Sequence, residues 1–307
     1  ARTTKHISSS IVRAPVIKPI IMKHSKTLRT AQATSSTDKK SRTVTINLTA
    51  PTSWRELSQE QLRIVFDLMA IEQEPTAVKT YMLIYFCSLH VIKHTRFGWK
   101  FWTMVDGRKR VVYLTTSEIQ GFTRQFDFID QVEDMDCRLD AVCGLHAADT
   151  LLQNGVTFNE YLHAEKYYQL FVETKDMEYI DNLAQWLYHD SHGRAAGYGD
   201  AVDNHGKVVE DVTLTPGERV GTLLWFLHVK QVMARAFPHF FKKTVVEDGE
   251  PEPVNFIELY NIQLRALTGG DVTKEDTVLN LACWRALTEL DAKAREAEEL
   301  EKIRSKQ

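Results

Sequence analysis

Two stretches in the N-terminal part of the chain have residue patterns that predict β-structure. Residues 43–49 alternate strictly between apolar side chains and threonine or asparagine, which predicts a half-buried strand. Two aromatic and β-branched runs, 99–105 and 109–114, flank Asp106-Gly107-Arg108. An Asp-Gly pair between such runs predicts a β-hairpin, because glycine accepts a positive φ. We expect the strand and the hairpin to form one small sheet.

Apolar residues recur at helical spacing between the strand and the hairpin. A capping-box pattern that begins at Ser58 precedes a predicted helix at 59–71. Pro75 opens a second helix, which is expected to run to about His94. A three-stranded sheet with one apolar face must be covered, so we expect these two helices to cover it.

The remainder of the chain is predicted to be mostly helical from about Asp136 onward. The glycine-rich segment 193–221 interrupts this pattern and predicts a long loop. Pro216 begins a strongly apolar helix, and Thr273 is placed to cap the last helix. The predicted fold class is therefore α+β, with a small N-terminal sheet covered by helices, a mostly α-helical C-terminal part and an extended N-terminal arm.

These elements divide the sequence into five predicted regions. They are a basic extended arm at 1–43, a small α+β domain at 44–130, a helical hairpin region at 131–192, a glycine-rich loop at 193–221, and a helical region with a charged C-terminal helix at 222–307.

Charge separates the arm from the rest of the chain. Residues 1–43 carry ten basic residues and one acid, a net charge of +9, whereas the rest carries 28 basic and 40 acidic residues, a net charge of −12. Apolar clusters at 11–12 and 16–22 surround two prolines, which favour extended backbone. Three interpretations remain open: a solvated tail, an arm that binds another subunit, or an arm that binds nucleic-acid phosphates.

The composition excludes several classes of protein. With 43% apolar and 26% charged residues, the chain is typical of globular domains, and no apolar run is long enough for a membrane helix. Four cysteines in 307 residues do not make a disulfide framework, which favours a reducing compartment. We therefore expect no membrane partner.

Candidate chemistry is sparse. His90 and His94 are four residues apart on the predicted helix, but without the glutamate of the metalloprotease motif they are interpreted as structural. The cysteine and histidine spacing within 137–146 does not match a zinc site. His189 and His192, before the glycine-rich loop, form the most exposed histidine cluster. We predict no catalytic residue, no cofactor and no metal site.

The sequence instead suggests residues that bind partners. An exposed face of the hairpin could present one of its two tryptophans, and since residues 99 and 102 face opposite sides of a strand, at least one should be buried. The predicted partner-binding residues lie in the arm, in the hairpin and at the end of the last helix: Arg13, Val16, Ile17, Lys18, Ile20, Ile21, Lys23, Trp99, Trp102, Leu300 and Ile303.

Three stretches carry a family resemblance. They are 45–69 (TINLTAPTSWRELSQEQLRIVFDLM), 158–188 (FNEYLHAEKYYQLFVETKDMEYIDNLAQWLY) and 264–299 (LRALTGGDVTKEDTVLNLACWRALTELDAKAREAEE). In outline, residues 44–300 resemble an uncharacterised protein family of Bacteroidetes phages and prophages. The resemblance leaves out the arm, implies a role in a phage particle or its assembly, and carries over no catalytic residue.

Three hypotheses of function follow. The first is a non-enzymatic structural or assembly protein of a phage particle, associated with its neck, tail or capsid, which binds other copies of itself and other particle proteins through the arm and the C-terminal helix. It would act in the host cell cytoplasm and then in the virion. The second is an accessory protein that binds nucleic acid through the arm, and the third is a metal-dependent hydrolase at the loop of His189 and His192.

Overall fold

The structure is a computed structural model that describes residues 30–33, 44–72, 74–131, 135–203, 205–209, 211–241 and 256–305. The α+β class is confirmed, because small antiparallel sheets are combined with α-helices. The C-terminal part is mostly helical, as predicted. None of the helices in the described ranges is long and apolar enough to cross a membrane. The predicted arm at 1–43 lies outside the described residues except for Thr30–Ala33.

The elements are numbered in chain order. The strands are β1 (Thr30–Ala33), β2 (Val44–Asn47), β3 (His90–Thr95), β4 (Gly98–Val105), β5 (Arg108–Thr115), β6 (Ala141–Val142), β7 (Leu145–Ala147) and β8 (Tyr188–His189). The α-helices are α1 (Gln59–Ile71), α2 (Pro75–Phe86), α3 (Thr116–Thr123), α4 (Phe158–Thr174), α5 (Glu178–Leu187), α6 (Pro216–Ala236), α7 (Phe256–Thr268), α8 (Glu275–Leu279) and α9 (Cys283–Arg304).

The chain forms two compact units. The first contains the described residues up to Thr49 together with Ile84–Thr116, and the second contains Ala50–Leu83 and the described residues from Ser117 onward. The first unit is therefore a small β unit that is discontinuous in sequence, and the second is mostly helical.

In the first unit, the strand predicted at 43–49 and the predicted hairpin both form, but they belong to different sheets. β2 pairs in antiparallel register with β1, from Thr30 opposite Asn47 to Ala33 opposite Val44, and not with the hairpin. The expectation of one shared sheet is wrong because a strand from the end of the predicted arm takes the place beside β2.

The hairpin is formed by β4 and β5, and its turn has the predicted chemistry. Asp106 and Gly107 both have a positive φ, of 50° and 70°. A two-residue hairpin turn of this kind requires positive φ at both positions, because its twist then matches the twist of the flanking strands. A third strand, β3, pairs with β4, so the helix predicted to reach His94 is wrong. The helix ends at Phe86 because Ser88 adopts a left-handed φ of 49° and the N–H of Leu89 turns back to the carbonyl of Ile84.

In the second unit, capping boxes fix where three long helices begin. Ser58, Thr157 and Thr215 each accept a hydrogen bond from the backbone N–H three residues on, and the side chain at that third position accepts the N–H of the cap. The helix predicted to begin at Pro216 is confirmed, so the glycine-rich segment ends at Thr215. Tryptophan and phenylalanine side chains fill the interior, among them Trp54, Phe66, Phe126, Phe158, Trp225 and Phe226.

Two predicted helical segments of this unit are wrong. The segment near Cys143 forms the short hairpin β6–β7, which extends to β8, because Cys143 and Gly144 both have a positive φ, of 49° and 77°. The last helix does not run continuously from Thr273. It is broken between α8 and α9, where the N–H of Cys283 donates to the carbonyl of Val156.

Candidate interaction surface

The structure places His189 in the interior and His192 on the surface. His189 is 7% exposed, and its Nε2 has no hydrogen-bond partner among the described residues. The nearest acidic atom is Oε1 of the buried Glu160, 3.9 Å from Nε2. Glu160 is already engaged, since its other carboxylate oxygen accepts the N–H of Thr157 at 2.7 Å. The two histidines therefore do not converge on one exposed site.

We expect this buried histidine to make the fold sensitive to acid. Desolvation lowers the pKa of His189 below its ordinary value of 6.5, so protons bind the unfolded chain more readily than the folded one. The contribution of His189 to stability is thus present above pH 6.5 and is lost as the pH falls through the lowered folded-state pKa. Urea unfolding between about pH 7.5 and pH 5 should show a smaller loss of stability in His189→Gln than in wild type. An unchanged pH dependence in His189→Gln, or the same flattening in a His205→Gln control on the surface, would contradict this.

Two copies of one loop motif lie at and near the start of the glycine-rich segment. The motif Asp-x-His-Gly-Arg/Lys occurs at 190–194 and again at 203–207. In both copies the aspartate Oδ1 accepts N–H groups from the third and fifth residues, at 2.8 and 2.9 Å, and the glycine has a positive φ, of 78° and 75°. The aspartates of these two loops thus stabilise the turns by accepting backbone hydrogen bonds. The sequence signal for this pair of loops is a motif that recurs after 13 residues.

The other histidine and cysteine candidates are also separated. His90 and His94 lie on strand β3, not on a helix, and their rings contact different tryptophans of β4: Trp102 and Trp99. The described residues contain no group of three or more histidine, cysteine, aspartate or glutamate side chains that could hold a metal ion. The four cysteines are free thiols.

The three-stranded sheet carries the most distinctive surface of the first unit. Residues directly opposite one another share a face, and so do alternate residues along a strand. In the observed register, Lys100 is opposite Lys93 and Tyr113, and Trp102 is opposite His90 and Val111. Together with Met104 and its partner Lys109, these residues form one face, which we call the basic face: His90, Lys93, Lys100, Trp102, Met104, Lys109, Val111 and Tyr113. The opposite face holds the buried Phe101, Thr103, Val112 and Leu114.

Trp102 is the centre of the basic face. The ring of His90, from β3, stacks on it with centroids 3.8 Å apart and an interplanar angle of 13°. The ammonium of Lys109, from β5, lies 4.2 Å from the Trp102 ring centroid. This cation–π contact and the stacked imidazole tie all three strands together through one indole.

The described residues of the first unit do not neutralise the cations of this sheet. Residues 84–116 contain six lysine or arginine residues and only one acid, Asp106, and no salt bridge joins two described residues of this unit. Lys93 and Lys100 are directly opposite each other across β3 and β4, an arrangement that destabilises a sheet. The second unit differs, since several of its cations form ion pairs, such as Arg219 with Asp181 at 2.6 Å.

Apolar side chains accompany this charge. Among the described residues of the first unit, six large apolar side chains are more than two-fifths exposed: Val91, Ile92, Phe97, Met104, Val111 and Tyr113. Three of them, Met104, Val111 and Tyr113, belong to the basic face. Exposed aromatic and aliphatic groups among unpaired cations are typical of a surface that binds a partner.

The structure describes only some of the predicted partner-binding residues, and it places them differently. Trp102 belongs to the basic face and Trp99 to the opposite one, but both are half-buried, so the expectation that at least one would be buried is wrong. Leu300 and Ile303 are both 57% exposed on α9. The predicted arm residues, from Arg13 to Lys23, lie outside the described residues.

Sequence reasoning missed most of the basic face. The sequence does not mark Lys93 and Lys100 as neighbours, because its pattern predicts a helix over 90–94. Val91-Ile92, a β-branched pair after Ser88, was the signal that could have identified a third strand. Once β3 is placed, the register brings the lysines together.

Comparison with models of protein families, with curated proteins and with solved structures finds no match. The function must therefore be inferred from the surface itself.

Proposed function

We propose that this chain is a non-enzymatic structural or assembly protein of a phage particle, and that its basic face binds an acidic surface of a neighbouring copy. The observation that carries the proposal is the set of cations on the basic face, which have no ion-pair partner among the described residues of their unit. The family resemblance of residues 44–300 supports the phage setting. In this setting the protein assembles in the host cytoplasm and then stays in the virion.

The chain itself supplies the complementary charge. Residues 1–49 and 84–116 carry sixteen basic and two acidic residues, a net charge of +14, while the rest carries 22 basic and 39 acidic residues, a net charge of −17. Each copy therefore has both a positively charged part and a negatively charged part that can attract each other's counterpart in a second copy. A contact between unlike surfaces is heterologous, so it can be repeated from copy to copy.

The apolar residues favour a protein partner. Charge steers the encounter and suppresses wrong partners, whereas burial of apolar area supplies affinity. Met104 and Val111 lie among the lysines of the basic face, where a protein surface would bury them. Contacts that are individually weak become effective when many copies bind at once.

Sedimentation velocity of the full chain tests the proposal. At about 0.05 M salt we expect concentration-dependent oligomers, and at about 1 M salt we expect a monomer or a small oligomer, because the screening length falls to about 3 Å. Deletion of residues 1–29, which keeps β1 and removes a net charge of +7, should weaken the low-salt association and leave the circular dichroism signal of the remaining chain unchanged. A chain that remains monomeric at low salt, or oligomers that do not respond to salt, would contradict the proposal.

A second candidate function is binding of single-stranded nucleic acid by the same face. The observation that favours it is the alternation of rings and lysines on the basic face: Trp102, Tyr113 and His90 among Lys93, Lys100 and Lys109. Such platforms stack bases on rings and pair phosphates with cations. Fluorescence anisotropy with a labelled oligonucleotide separates the two candidates: nucleic-acid binding requires affinity that falls steeply with salt and is lost in Trp102→Ala.

A further inference from the structure

A short exposed loop lies just before α4, in the mostly helical unit. Gln153, Asn154 and Gly155 are exposed, whereas Leu152 on one side is 0% exposed and Val156 on the other is 2% exposed. The sequence contains no other asparagine that is followed by glycine. Glycine has no Cβ, so it leaves its own backbone nitrogen more accessible than any other residue would. The loop therefore presents a side-chain amide beside an accessible backbone N–H.

The two groups that react with each other in asparagine deamidation are both available in this loop. No described residue accepts the N–H of Gly155, and none forms a hydrogen bond with the side-chain amide of Asn154. A Cβ added to Gly155 would meet nothing within 4 Å, so the space around this residue is open. Most backbone N–H groups of a folded chain are held by a protein acceptor, and one that is not held can lose its proton and attack.

The reaction is intramolecular and needs only water as a co-reactant. The deprotonated nitrogen of Gly155 attacks Cγ of Asn154, the Cγ–Nδ2 bond breaks, and the amide group takes up a proton and leaves as ammonia. Water then opens the resulting succinimide at one of its two carbonyls. Opening at Cγ gives aspartate. Opening at the main-chain carbonyl gives isoaspartate, in which the backbone runs through Cβ and Cγ and is longer by one carbon.

The chain is fixed on both sides of the loop, so it has little room for a longer backbone. Before the loop, the indole N–H of Trp284 donates to the carbonyl of Leu151 at 2.8 Å. After the loop, the carbonyl of Val156 accepts the N–H of Cys283 at 2.9 Å. Both partners belong to the first turn of α9, so the loop connects two points that this helix holds in place.

We propose that Asn154 is a site of spontaneous deamidation, and that isoaspartate at this position weakens the pairing of residues 156–158 with 281–283. The extra carbon enters the backbone two residues before Val156, so either the side chain of Val156 leaves its buried position or the hydrogen bonds of this pairing shift. Because α9 begins at this pairing, an aged chain holds α9 less firmly. The inference is independent of the proposed function, since none of these residues belongs to the basic face.

Asn280 provides a matched control for the reactivity of the site. It is also exposed, but its Nδ2 donates to the carbonyl of Asp276 at 2.7 Å, and the N–H of Leu281 donates to the carbonyl of Val278 at 3.1 Å. We expect peptide-resolved mass spectrometry of the full chain, aged in mildly alkaline buffer, to show deamidation at Asn154 at least about tenfold faster than at Asn280. Equal rates at the two asparagines would overturn the proposal.

Two variants separate the longer backbone from the added charge. Asn154→Gln suppresses the reaction, because its longer side chain would have to close a larger ring, and freshly prepared Asn154→Asp adds the carboxylate without isoaspartate. The urea midpoint of aged wild-type chain should be lower than that of fresh chain, and it should not fall in equally aged Asn154→Gln. Fresh Asn154→Asp should match fresh wild type. An isoaspartate-containing chain as stable as fresh chain, or an equal loss in aged Asn154→Gln, would contradict the proposed weakening.

Discussion

Gly221→Ala is expected to destabilise the folded chain by about 1–3 kcal/mol, although alanine is the better helix former. Gly221 lies in α6 where this helix packs on α1, and an added Cβ would be 2.5 Å from Cδ2 of Phe66. Phe66 is fully buried and cannot move aside. One turn earlier, a Cβ on Gly217 would approach the backbone nitrogen of Asp67 to 2.8 Å. The two glycines thus permit the close approach of α1 and α6.

A second helical glycine, Gly121, provides a matched control for this prediction. Gly121 is also helical, but a Cβ there meets nothing within 4 Å, so Gly121→Ala should stabilise the chain by about 0.5–1 kcal/mol. Urea unfolding monitored by tryptophan fluorescence measures both changes. Phe66→Leu should recover part of the loss in the Gly221→Ala background, since a smaller side chain admits the methyl group. Equal effects at the two glycines would show that α1 and α6 are not in close contact.

The second large effect is expected on association. The triple substitution of Lys93, Lys100 and Lys109 by glutamate should weaken the low-salt association of the chain at least about tenfold, because it reverses the charge that the acidic partner surface meets.

One of these three substitutions should also increase the stability of the folded chain. Lys93→Glu alone replaces a like-charge pair across β3 and β4 by an attractive pair with Lys100, worth about 0.2–1 kcal/mol of added stability.

The control for the triple substitution has the same change in net charge at a different place. Reversal of Arg124, Arg285 and Lys302, all exposed in the second unit, makes the acidic part of the chain more acidic. Association should then be retained or strengthened. If both triple variants lose association equally, net charge alone governs the behaviour and the basic face has no special role.

Local signals in the sequence predict much of this fold. The capping box at Ser58 and the Asp106-Gly107 turn each require particular residue types at fixed spacing, and both form as expected. The failures occur where a single backbone angle decides the outcome. Ser88 and Cys143 adopt a positive φ that their residue types rarely take, so the periodicity on either side wrongly predicts a continuous helix.

The candidate surface was harder to predict than the fold, because it depends on register. Lys93 and Lys100 are seven residues apart in sequence, and only the pairing of β3 with β4 makes them neighbours. The partner of β2 was missed for a similar reason: Thr30–Ala33 contains no apolar alternation strong enough to mark a strand, and it pairs through its backbone.

The central claim is that unlike surfaces of two copies bind each other, and a mixing experiment tests it most directly. A fluorescent chain carrying the Lys93→Glu, Lys100→Glu and Lys109→Glu substitutions has lost its basic face but keeps its acidic unit. At low salt it should co-sediment with unlabelled wild-type chain, which binds it through the intact basic face, and should not form the wild-type oligomers when alone. Co-sedimentation that is absent at low salt, or oligomers of the substituted chain that match those of wild type, would contradict the account.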